Sequence, residues 1–122
     1  MYNNYLPTIY GMLSTDTAFT TLIGGVNHLC EGWAESFKDL PMVTYEEVDN
    51  QATNFADNKE IGSAVVFKFE IFSNSSVQIT NILARLDALM NSIQWFRSGS
   101  CFSIYEPSIK LRRKIIEYHH FV

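Results

Sequence analysis

The stretch from residue 63 to residue 93, SAVVFKFEIFSNSSVQITNILARLDALMNSI, limits the fold more than any other part of the chain. Val65, Phe67, Phe69 and Ile71 alternate with Lys68 and Glu70, the period-two pattern of a half-buried strand. Ile79, Ile82, Leu83, Leu86, Leu89, Met90 and Ile93 then recur at helical spacing, with Asn81, Arg85 and Asp87 expected to point outward. Ser75 followed three residues on by Gln78 reads as a capping box that starts this helix, which spans about 76–93. One apolar strand face and one apolar helix stripe each need cover. The simplest cover is each other.

The flanking sequence supplies the remaining elements. Leu6, Ile9, Tyr10 and Leu13 stand at helical spacing behind Pro7, a residue suited to a first turn. Asp16 or Thr15 is placed to cap a second short helix, which Gly24 and Gly25 end. Residues 26–40 show no clean period and read as an irregular segment, with Leu29 and Trp33 against the core. MVTYEEV (42–48) reads as a short strand with Val43 and Tyr45 on one face. The polar run DNQATNFADNKEIG reads as a loop, too long for a tight hairpin. At the far end, QWFRSGSCFSIYEP and IKLRRKIIEYHHFV read as a hairpin turning at Pro107 and Ser108. The expected fold is α+β in a single domain over residues 1–122. N-terminal helices precede a β-β-α-β-β unit, whose roughly four-stranded, mostly antiparallel sheet packs under the one long helix.

Composition narrows the class of function. A chain of 122 residues with 47% hydrophobic and 18% charged residues is an ordered globular protein. Nine Phe and six Tyr suit a β-containing core or a large contact surface. A net charge of −4 offers no general attraction for nucleic acid. The N-terminal residues lack a basic region before a long apolar run, so a secretory signal is not expected. No segment reaches the roughly 18 apolar residues that span a bilayer. Cys30 and Cys101 fit no metal-ligand spacing and read as a reduced cytosolic pair.

No residue set points to a reaction. His119 and His120 are neighbours on a strand and face opposite ways, so they would not chelate one metal together. His28 and Cys30, with Glu31 and Glu35 nearby, lack the third group and oxyanion site that a nucleophilic pair needs. Glu46, Glu47 and Asp49 read as a solvated acidic run, and Ile23-Gly24-Gly25 is too short for a phosphate loop. No catalytic residue, metal or cofactor is expected.

Charge asymmetry remains. Glu46, Glu47, Asp49, Asp57 and Glu60 face only Lys59 between residues 46 and 60, while Lys110, Arg112, Arg113 and Lys114 stand without an acid. Such patches suit a contact between subunits, with Ile116 and Tyr118 expected to add apolar area and Phe55 to anchor a loop that orders on assembly. Two solvated edges of the monomer, edge protection of a basic strand, and a nucleic-acid contact that the net acidity disfavours are the other readings.

The order of parts carries a resemblance. A helix leading into TDTAFTTLIGG, then LPMVTYEEV, VVFKFEIFS, SSVQITNILARLDALM and LRRKIIEYHHFV resembles the tail completion, or tail terminator, proteins of long-tailed bacteriophages. The likeness covers nearly the whole chain. Where that family usually carries a basic or aromatic residue after the double glycine, this chain has Val26-Asn27-His28. The resemblance implies a structural virion protein, not an enzyme, assembled into a hexameric ring. Such a ring caps the head-proximal end of the tail tube, ends its polymerisation and mediates head-tail joining. The implied partners are other copies of the chain, the tail tube protein and a head-completion or connector protein. No membrane and no specific nucleic acid are implied, and the location is the virion, with the host cytoplasm during assembly. Another neck component (a stopper or adaptor) is the nearest alternative, and a cytosolic α+β binding module the remoter one.

Overall fold

A computed structural model describes residues 5–32, 40–56, 59–97 and 101–121, with residues 49–56, 59–64, 102 and 121 described by their backbone alone. Three helices, α1 (Leu6–Thr15), α2 (Thr17–Ile23) and α3 (Ser76–Ser92), lie with six strands. The strands are β1 (Leu29–Glu31), β2 (Met42–Ala56), β3 (Lys59–Ser73), β4 (Phe96–Arg97), β5 (Phe102–Glu106) and β6 (Leu111–Phe121). They form one sheet in the order β1-β2-β3-β6, with β4 and β5 following one another along the far flank of β6. The fold class is α+β, as expected. The sheet is wider than expected, because β1 adds a parallel pair through Leu29↔Val43 to Glu31↔Tyr45 in a segment read as irregular.

Each helix starts and stops for a local reason. Asp16 accepts the Phe19 N–H at 2.8 Å and so caps α2, which Gly24 ends at φ 89°. A Cβ on Gly24 would lie 3.4 Å from the ring of His28, whose Nδ1 is 2.6 Å from the Pro41 carbonyl oxygen. At α3 the capping arrangement is more elaborate than a two-residue box. Ser75 Oγ accepts the Gln78 N–H, as expected, but the Ser75 N–H is satisfied by Ser73 Oγ, which itself donates to the Gln78 side chain. Past the end of α3, Gln94 adopts φ 68° and the Trp95 N–H returns to the Met90 carbonyl at 2.9 Å. That turn drives the indole of Trp95 into the core, 2% exposed, between Phe67 and Tyr5.

The core lies between the helices and one face of the sheet. Val43, Tyr45, Val65, Phe67, Phe69, Ile71, Ile116 and Tyr118 come from the strands, and Ile79, Ile82, Leu86 and Met90 from α3. Ile9, Leu13, Phe19 and Ile23 complete it from α1 and α2. The strand register expected for residues 65–71 and the helix stripe are both borne out. Arg85 and Asp87, expected to point into solvent, instead hold partners within the chain. Arg85 donates from Nε and Nη2 to the two Asp16 carboxylate oxygens at 2.9 and 2.6 Å, clamping α3 to the start of α2. Asp87 accepts the Tyr118 hydroxyl at 2.7 Å and pairs with Arg97 at 3.3 Å. Both contacts satisfy groups at the rim of the apolar layer.

The polar run after residue 48 is not the expected loop. β2 and β3 are both 15 residues long and pair from Met42↔Phe72 to Ala56↔Lys59, with register shifts after Glu47, Ala52 and Asn54. Pairing with β6 begins only at Ala64↔Phe121, so among the described residues Lys59–Ser63 have β2 as their sole strand neighbour. The hairpin therefore extends past the body of the sheet by about 16 Å, at 3.3 Å per residue. Trp33, expected against the core, lies outside the described residues, as does Asp57.

Candidate functional site

Strand alternation divides the basic run of β6 between two faces. Odd-numbered residues from Leu111 to Glu117 lie on the face away from the helices, and even-numbered ones lie with buried Ile116 and Tyr118. Arg113 therefore parts from its neighbours. Its guanidinium bonds the Glu70 carboxylate and lies 5.7 Å from the Phe72 ring. Glu70 is 7% exposed, and Thr44 Oγ1 and Lys68 Nζ approach it at 3.5 and 3.9 Å. A buried carboxylate needs such company. Lys68 reaches Glu46 at 2.7 Å, and that bond holds the ammonium pKa above its usual value. Two of the residues expected to meet across a subunit contact, Glu46 and Arg113, thus each hold a partner inside the chain.

On the helix face Arg112 and Lys114 lie differently. The Arg112 guanidinium sits 4.8 Å from the centre of the Tyr105 ring, and Lys114 Nζ donates to Ser103 Oγ at 3.2 Å. Among the described residues, neither has a carboxylate within ion-pair distance. Both line a groove of about 210 Å³ between α3 and β5, as do Tyr105 and Arg113. Ile79 and Leu83 wall it from the helix, Ile104 and Ser103 from the strand, and Ser76 and Thr80 add hydroxyls. Lys110 stands apart in the β5–β6 turn at φ 53°. Ile116 and Tyr118, expected to contribute apolar contact area, are 0% exposed and belong to the core. The groove was not anticipated, although period-two alternation across residues 111–118 is enough to separate Arg112 and Lys114 from Arg113.

The acidic residues follow the long hairpin. β1 ends opposite Tyr45, so from Glu46 onward β2 has β3 on one side and, among the described residues, no strand on the other. Glu46 and Glu47 are half-buried, and Val48 at the first register shift is 51% exposed. Asp49, Phe55 and Glu60 are strand residues, Phe55 pairing with Glu60 in register.

In overall shape the chain is similar to one from the virion of a native gene transfer agent particle. The TM-score is 0.58 at 12% sequence identity, over 91% of this chain and 88% of that one. The fold is shared. No family model and no curated protein matches the sequence.

His119 and His120 are both half-buried. His120 stacks on Trp95 at 4.9 Å, meets the Tyr5 ring edge at 5.6 Å and holds the Gln94 carbonyl through Nδ1 at 2.9 Å. His28 is engaged with Pro41, and the Cys30 and Cys101 thiols are free and half-buried. Among the described residues, no three His, Cys, Asp or Glu side chains gather closely enough to hold a metal ion. No described helix is long and apolar enough to cross a membrane.

Proposed function

We propose that this chain is a structural virion protein, the subunit of a hexameric ring that caps the head-proximal end of a phage-like tail tube. The ring ends tube polymerisation and offers its other side to a head-completion or connector protein. One observation carries this reading: the fold is shared along nearly the whole chain with a protein found in the virion of a gene transfer agent particle. The distribution of its side chains supports it, since polar and charged groups mainly stabilise shape and leave patterned surfaces. The residues expected at its contacts are Glu46, Glu47, Asp49, Phe55, Asp57 and Glu60 on the acidic side, and Lys110, Arg112, Arg113 and Lys114 on the basic side.

The test is a tube-growth assay with the matching tail tube protein. Adding the purified chain during polymerisation should halt elongation, with ring-shaped density at one tube end in negative stain. Tubes that lengthen at an unchanged rate, with bare ends, refute the capping role. A ring that binds a connector but leaves tube growth untouched assigns the chain to a neighbouring neck position.

A further inference from the structure

We propose that the groove between α3 and β5 receives the open edge of β2 from a second copy of this chain. Four observations converge on that occupant. The outer edge of β5 has no strand partner among the described residues, and it borders the groove. Three cations line the groove: Arg113 is bonded to Glu70, while Arg112 and Lys114 have no carboxylate within ion-pair distance among the described residues. At the opposite side of the same sheet, β2 loses β1 after Tyr45 and, among the described residues, presents an open edge. That edge begins at Glu46, whose carboxylate is held by Lys68, and continues through Glu47 and Asp49, so the two ends of one sheet are complementary in both hydrogen bonding and sign of charge.

A contact between two different patches is heterologous, and repeated by rotation it closes a ring. Strand directions alternate from β2 through β3 and β6 to β5, so β2 and β5 run opposite ways within one subunit. For a rotation axis near the strand direction, β2 of one copy meets β5 of the next as an antiparallel pair. Backbone bonds and the Ile79 and Leu83 walls supply attraction, while the charges set register and exclude the reversed approach. Lys110 lies outside this contact, and Arg113, which also lines the groove, keeps its bond to Glu70. It rests on the ring reading above, and narrows it to one pair of surfaces.

Two charge reversals test it by sedimentation of the full chain. R112E/K114E makes both patches acidic, E47K/D49K makes both basic, and each alone should sediment as monomer. An equimolar mixture should recover rings, because each acidic β2 then finds a basic groove and each basic β2 an acidic one. K110E, outside the groove, should assemble as the unaltered chain does. Circular dichroism checks each variant, and D49K replaces the double variant if the half-buried Glu47 position does not tolerate lysine. Unaltered rings alongside a mixture that stays monomeric overturn the groove contact and leave the ring reading standing. An unaltered chain that remains monomeric at every concentration, alone and with tubes, defeats both.

Discussion

The two faces of the sheet hold together by different physics. Toward the helices, Val65, Phe67, Phe69 and Ile71 are all 0% exposed and meet α1, α2 and α3. On the other face Glu46, Lys68, Glu70 and Arg113 form a chain of alternating charge around an open depression. Among the described residues, Met42, Phe72 and Leu111, with Cys30 and Leu40 packed beside them, make a small apolar cluster there. Burial of apolar area is favourable in proportion to area and indifferent to direction, whereas exposed ion pairs add little energy and depend on register. The helix face therefore determines whether the chain folds. The opposite face and the strand edges are free to specify what it meets.

Substitutions that separate the faces test this division. Phe69 packs edge-on against Tyr118 at 5.7 Å and near Tyr45 at 6.5 Å, so Phe69→Ala should destabilise the fold by about 3–5 kcal/mol in denaturant unfolding. A cost near that of a surface change would mean that the helix layer carries less of the stability than its burial implies. Asp16→Ala should come next, at about 1–2 kcal/mol, since it removes the α2 cap and leaves Arg85 without its partner. The bonds from Arg85, with help from the Phe19 N–H, hold the Asp16 carboxyl below its ordinary value of 3.8 against a smaller opposing effect of burial. A depressed carboxyl binds its proton more readily in the unfolded chain. Its stabilisation is therefore complete above about pH 4 and is lost as pH falls through the lower folded value. Asp16→Asn keeps a capping oxygen but should flatten that part of the acid profile, read as midpoint against pH.

Tyr118→Phe removes one hydroxyl from the edge of the core and should cost about 0.5–1.5 kcal/mol. Burial, and then the bond to Asp87, raise the Tyr118 phenol well above its usual range, so no ionisation of this group should appear on alkaline titration of the folded protein. Lys68→Ala, on the charged face, should cost less than about 1 kcal/mol, since Glu70 keeps Arg113 and Glu46 is 40% exposed. A larger loss there would make the charged face a structural element in its own right.

Much of the helix face was legible in the sequence because burial imposes a period. The stripe from Ile79 to Ile93 and the alternation from Val65 to Ile71 each mark an interior side, and the structure packs them together. The β2–β3 extension was not legible for the same reason in reverse. Its strands pair through backbone bonds, to which hydrophobic periodicity is blind, so Asn50, Gln51 and Asn54 read as loop. β1 has only three residues, too few to show any period, and depends on its alignment with Val43–Tyr45. The fate of Arg85 was hidden because its partner Asp16 lies 69 residues away. For the charged contacts the missing step was smaller. Arg112, Arg113 and Lys114 read as one patch by composition, and strand geometry divides them.

The place of β6 in the sheet bears on how the chain is made. It follows every other strand in sequence, yet lies inside the sheet, flanked by β3 on one side and by β4 and β5 on the other. As synthesis runs from the N-terminus, β2, β3 and α3 are complete while the slot for β6 is still vacant. Until residues 111–121 emerge, β3 offers a bare edge, and Phe67 and Phe69 lack the Ile116 and Tyr118 side chains that flank them. Such an intermediate is prone to pair with the wrong strand. Closing it requires contacts between segments far apart in the chain, which form slowly. The β5 edge and the cations of the groove arise in the same closing step, so a nascent chain has no receiving surface until its own sheet is finished.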